Sequence, residues 1–64
     1  MDRQIYRLPD VMKRTGLKRS SLYSAMQKDE FPKQISIGVR SVGWISQEVD
    51  KWLEERIDAS RRVK

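Results

Sequence analysis

TGLKRSSLYSAMQKDEFP, Thr15 to Pro32, is the stretch that decides the fold. With Leu22 as origin and about 100° of rotation per residue, Ala25 and Met26 lie close to Leu22, while Ser20, Ser24 and Gln27 gather on the opposite side with Tyr23, Ser21 and Lys28 flanking them. The spacing predicts a narrowly apolar helix from about Arg19 to Asp29. It stops before Phe31-Pro32, because a proline disfavours helix in the residue ahead of it. Such a helix buries one thin stripe and offers hydroxyls, an amide and cations to whatever lies outside.

Upstream, Leu8, Val11, Met12 and Thr15 fall at i, i+3, i+4 and i+7, one face of a helix whose first turn accommodates Pro9. Gly16 follows the last periodic residue as a left-handed cap, and Leu17 can fold back on the helix it closes. Helix, glycine turn, helix is the order of a helix-turn-helix. Downstream, Ile35, Ile37 and Val39 alternate with polar or small residues, the pattern breaks over Gly38 to Ser41, and Val42 and Trp44 resume it. This is a β-hairpin over Gln34 to Ile45 with Arg40 near its tip. Ser46 can then cap a third helix, with Glu48 in its first turn and Val49, Trp52, Leu53 and Ile57 on one face. The last residues, ASRRVK, are short, polar and basic, and are expected to fray. Without repeats or a linker, the chain reads as one α+β, mostly α unit over 1–64. It is a winged helix-turn-helix of helix, helix, hairpin wing and helix, with its core over about 5–58 and a frayed basic tail over 59–64.

A chain of 64 residues buries one small core. It contains neither cysteine nor histidine, so no disulfide framework and no usual zinc ligand set supports it. The same absences remove the common nucleophile and the common neutral-pH base. The three glycines, at 16, 38 and 43, form no phosphate-binding loop, and the carboxylates cluster on the third helix at solvated spacings. No catalysis, cofactor or small-molecule ligand is expected. The N-terminus has no apolar signal core and no apolar run reaches membrane-spanning length, which places the chain in the cytoplasm.

Charge is segregated along the chain. Residues 1–45 hold nine Lys/Arg against four Asp/Glu, residues 46–58 two against five, and residues 59–64 three against none. A basic surface beside an acidic one suits a polyanionic partner. For double-stranded DNA, side chains entering the major groove must be short or far-reaching and able to donate and accept hydrogen bonds. Ser20, Ser24 and Gln27 meet that need. Arg19 could take guanine through two hydrogen bonds, Ser21 and Tyr23 could hold a phosphate or a thymine methyl, and Lys28 could reach the backbone. Arg40 at the wing tip and Lys33 before the hairpin are further cations, although an exposed strand-edge lysine also simply discourages sheet pairing. Trp44, Trp52 and Phe31 are assigned to packing; Tyr6 is ambiguous, with helix one its simplest neighbour.

RLPDVMKRTGLKRSSLY, then FPK, the GVRSVGW hairpin and the WISQEVDKWLEERI helix together resemble the AlpA family of small phage and prophage transcriptional regulators, over about Arg7 to Ile57. The resemblance implies a winged helix-turn-helix of the MerR and excisionase type that regulates genes of a phage or integrated element. It places Arg19, Ser20, Ser21 and Tyr23 in the recognition helix and Arg40 in the wing. The family's usual serine cap before that Arg-Ser pair is Lys18 here. A bound phosphate could then supply the missing cap, unless a shifted helix start lets Ser20 do so. Two other roles suit the same chain: an excisionase-like factor bending attachment-site DNA, with self-association on tandem sites, and a protein-interaction adaptor that binds no DNA.

Overall fold

The computed structural model describes residues 4–62. The elements run β1 (Ile5–Tyr6), α1 (Leu8–Thr15), α2 (Arg19–Gln27), β2 (Ile35–Gly38), β3 (Ser41–Ile45) and α3 (Ser46–Arg62). This is the expected helix-turn-helix followed by a hairpin and a helix, with one short strand added in front.

Local chemistry accounts for α1. The Asp10 carboxylate accepts the Arg7 backbone N–H at 3.1 Å, satisfying a donor that the first turn cannot. At the other end Gly16 adopts φ +74° and its N–H donates to the Met12 carbonyl at 2.8 Å. Thr15 reinforces the stop, its hydroxyl donating to the Val11 carbonyl and accepting the Leu17 N–H. The chain emerges in extended conformation at Lys18 and enters α2 directly. That helix ends at Gln27, two residues short of the expected Asp29. Asp29 sits at φ +60°, a left-handed conformation that a short polar side chain tolerates, so it cannot continue the helix. Its N–H and that of Glu30 instead satisfy the Met26 and Ala25 carbonyls.

The sheet has the order β1-β3-β2, all antiparallel. Ile5 pairs with Ile45 and Tyr6 with Trp44, so Tyr6 and Trp44 share the face that meets the helices. Tyr6, Val11, Leu22, Met26, Phe31, Trp44 and Val49 form the core. Each such buried side chain contributes roughly 1.5–3 kcal/mol. Two indoles fix the link from α2 to the wing: Trp44 Nε1–H donates to the Pro32 carbonyl at 3.0 Å, and Trp52 Nε1–H to the Glu30 carbonyl at 2.7 Å. Phe31 lies edge-on between them, its ring centre 6.5 Å from Trp44 and 4.8 Å from Trp52. The angle between α2 and the hairpin is therefore set by aromatic packing.

Three features go beyond the sequence reading. α3 continues through Arg62, into the stretch expected to fray, and Val63 and Lys64 lie outside the described residues. No Gly or Pro interrupts it, and Glu48 in its first turn and Arg61 and Arg62 in its last both complement the helix dipole. Because the helix outruns the core, Ile57 is 48% exposed although it continues the stripe of Val49 and Leu53. Finally, Ile35 and Ile37 point away from the core. Gly43 lies between them and Ile5, and a Cβ there would come within 2.5 Å of Ile5 Cγ2 and 2.9 Å of Ile37 Cδ1.

Candidate nucleic-acid interface

Leu22 and Met26 hold α2 down, which turns its remaining residues outward. Arg19, Ser20, Ser21, Ser24, Gln27 and Lys28 are exposed and Tyr23 is half-buried. The outward face has two flanks. On one, the Arg19 guanidinium lies over the Tyr23 ring at 5.6 Å, and Tyr23 and Gln27 border a recess completed by Met26, Lys33 and Gln34. On the other, Ser20, Ser21, Ser24 and Lys28 line a shallow depression that Glu30 closes. No carboxylate belongs to α2 itself.

Lys18 is the N-cap of α2, extended at φ −78° and ψ 161°, and makes no side-chain capping bond. The helix therefore starts at Arg19 and Ser20 does not cap it. The first N–H groups of α2 lack a capping acceptor and have Lys18 and Arg19 beside them, an arrangement that favours an anion. Lys33 is less free than the sequence suggests, because its Nζ lies 3.0 Å from Asp29 Oδ1. Both groups are largely exposed, so the pair is worth at most about 1 kcal/mol and yields readily to a stronger anion.

At the wing tip, Val39 and Arg40 form a two-residue turn between β2 and β3. Arg40 sits at φ +62°, a conformation that an L side chain adopts at a cost of roughly 1–2 kcal/mol. Both residues are exposed, Val39 at 92%. The structure thus brings Tyr23, Gln27 and Lys33 around one recess with Arg19 over the Tyr23 ring, places Ser20, Ser21, Ser24 and Lys28 on the neighbouring flank, and sets Lys18 and Arg40 at the helix start and the wing tip.

Two residues join this surface that sequence reasoning did not single out. Gln34 enters the Tyr23–Gln27 recess, its side-chain carbonyl oxygen buried and without a partner among the described residues. Its position depends on how the chain leaves α2, which no local pattern reveals. Val39 reads as a strand residue in sequence but stands at the tip.

Remote from α2, the Tyr6 phenol is pushed above its ordinary value of 10.0, first by burial and then by its hydrogen bond to Asp50. Its hydroxyl donates to that carboxylate at 3.1 Å, and Arg14 lies 4.3 Å over the ring and opposes the shift. These contacts tie β1 to α3 and α1. Among the described residues no group of three or more His, Cys, Asp or Glu could hold a metal, and no helix is long and apolar enough to cross a membrane.

A helix-turn-helix with a short wing, presenting a polar, cation-flanked second helix, defines the class of small winged helix-turn-helix proteins. Residues 4–57 match the family described as "Prophage CP4-57 regulatory protein (AlpA)", and the chain belongs to that family of prophage regulatory proteins. It is 41% identical over 59 residues to the "DNA-binding transcriptional activator AlpA" of Escherichia coli (strain K12), covering 83% of this chain and 84% of that protein. It is 43% identical over 56 residues to the "Uncharacterized protein ORF88" of Enterobacteria phage P4, covering 88% of this chain and 64% of that relative's length. No solved structure gives a significant match.

Proposed function

We propose that this chain is a sequence-specific double-stranded DNA-binding protein that regulates transcription of phage or prophage genes, its residues acting as one winged helix-turn-helix unit. The observation that carries the reading is the outward face of α2, exposed from Arg19 to Lys28 at every position but the core-facing and flanking ones and free of carboxylates. With α2 in the major groove, Ser20, Ser24 and Gln27 meet base edges, and Arg19 is positioned by Tyr23 at the groove's rim. Lys18 and the α2 N–H groups receive a phosphate, Ser21, Tyr23, Lys28 and Lys33 follow the backbone, and Arg40 reaches the adjoining backbone or minor groove. The printed function of the Escherichia coli relative, transcriptional activation through DNA, supports this reading over recombination or adaptor roles.

Selection of bound duplexes from random DNA, followed by salt titration on the enriched site, tests it. An enriched site is expected, with log affinity falling against log salt at a slope of roughly −4 to −5 if the cations Lys18, Arg19, Lys28, Lys33 and Arg40 each neutralise one phosphate. Binding without enrichment would remove the sequence-specific role, and affinity indifferent to salt would remove DNA as the partner.

A further inference from the structure

The recess beside α2 holds an acceptor with nothing to accept. Tyr23, Met26, Gln27, Lys33 and Gln34 line it, and the Gln34 side-chain carbonyl oxygen is buried there without a hydrogen-bond partner among the described residues. A buried amide oxygen left unpaired is costly, and folded proteins almost always supply it with a donor. The other donors around the recess are the Tyr23 hydroxyl, the Gln27 amide and the Lys33 ammonium. Lys33 is drawn to Asp29, 3.0 Å away. The Tyr23 ring is packed against the core with Arg19 over its face, so its hydroxyl moves only as the ring moves. Gln27 is exposed, long and unbranched, and its amide can swing toward Gln34 for little more than the entropy of its own side chain.

We propose that Gln34 is a positioning residue for base reading: its buried carbonyl oxygen accepts one N–H of the Gln27 amide and so aims that amide at an adenine in the major groove. The inference rests on α2 being the recognition helix. A glutamine amide nitrogen carries two N–H groups, one beside its own carbonyl and one pointing away from it. The one pointing away goes to Gln34. The other donates to adenine N7 while the Gln27 carbonyl accepts from the adenine N6 amino group. Both sets of bonds form at once, so the buttress does not compete with the base. It also excludes a wrong one: an amide free to turn can offer both N–H groups to the O6 and N7 acceptors of guanine, whereas an amide with one N–H held by Gln34 presents its carbonyl to O6 and is repelled.

Selection of bound duplexes from random DNA with wild type, Gln27→Ala, Gln34→Met and Gln34→Glu in parallel, together with the melting of each protein, tests it. Wild type is expected to enrich adenine at the position that Gln27→Ala relaxes. Gln34→Met fills similar space without a buried acceptor, so it should melt no lower than wild type yet lose adenine-over-guanine preference at that position by roughly two- to tenfold, the worth of one hydrogen bond. Gln34→Glu keeps an acceptor: its added charge should lower affinity for all sequences while the adenine preference stays near wild type. Once Gln27 is alanine, Gln34→Met should change the preference no further. A base other than adenine at the Gln27 position, a Gln34→Met preference identical to wild type, a relaxation elsewhere in the site, or a Gln34→Glu variant that loses adenine as Gln34→Met does would overturn the proposal and leave DNA reading by α2 standing. A wild type that enriches no site would overturn that reading, and the proposal with it.

Discussion

Replacing Arg40 by glycine should make the protein more stable and a worse DNA binder. At φ +62° the arginine pays roughly 1–2 kcal/mol that glycine does not. Glycine gives back about 0.5–1 kcal/mol through the greater freedom of its unfolded chain. The net gain is about 0–1.5 kcal/mol, centred at about 0.75, which in a domain of this size raises the melting temperature by roughly 3–6 °C at the centre of that range. The side chain is exposed at a turn and makes no hydrogen bond or ion pair among the described residues, so nothing in the fold offsets that gain. If Arg40 meets a phosphate, the same substitution removes one neutralised charge, and the salt slope should shallow by about 0.9. Thermal unfolding and fluorescence anisotropy across a salt series measure the two effects on the same preparations. Arg40→Ala separates them, because it loses the cation and keeps the strained backbone: its affinity should fall as far as the glycine variant's while its melting temperature stays near wild type. A glycine variant that melts lower than wild type would refute the turn geometry, and unchanged affinity in both variants would remove the wing tip from the interface.

Gly43→Ala should destabilise the fold by about 1–3 kcal/mol, because the new methyl meets Ile5, Ile37 and the Tyr6 carbonyl oxygen, the last of which is backbone and cannot move aside; chemical denaturation checks this. Lys18→Ser should stabilise the free protein by about 1 kcal/mol by capping α2, while weakening binding to all DNA sequences alike, as read by melting and anisotropy. Tyr6→Phe should flatten the alkaline limb of the stability profile. The folded state holds the phenol proton above its ordinary pKa of 10.0, so its contribution is complete below pH 10 and is lost as pH rises through the folded value. Urea midpoints measured on both sides of pH 10 should therefore converge for wild type and variant as pH rises.

The parts of this fold that sequence made legible are those decided within a few residues. Pro9, the i, i+3, i+4 spacing of Leu8, Val11 and Met12, and Gly16 each act locally, and α1 begins and ends where they place it. β1 escaped because two residues have no periodicity and its pairing partner lies some forty positions away, Ile5 opposite Ile45. The alternation of Ile35 and Ile37 identified a strand, but alternation does not say which face meets the core, and here it is the other one. The length of α3 was underestimated because a basic terminal run looks disordered, whereas with no breaker its charges suit a helix C-terminus. Within the candidate interface, the outward face of α2 was visible because rotation about a helix is fixed by sequence spacing. The Lys33–Asp29 pair and the entry of Gln34 into the Tyr23 recess depend on the left-handed turn at Asp29, which no spacing announces.

The central claim is that the outward face of α2 reads base pairs. Gln27 is the long amide on that face, exposed and outside the core, so Gln27→Ala alters the reading surface without touching what holds the helix in place. Selection from random duplexes with wild type and variant in parallel is the direct measurement. The account predicts that preference relaxes at one or two adjacent base pairs, with a loss of about 1–3 kcal/mol on the wild-type site and the remaining positions unchanged. An identical preference at every position, whether binding weakens or not, would contradict it.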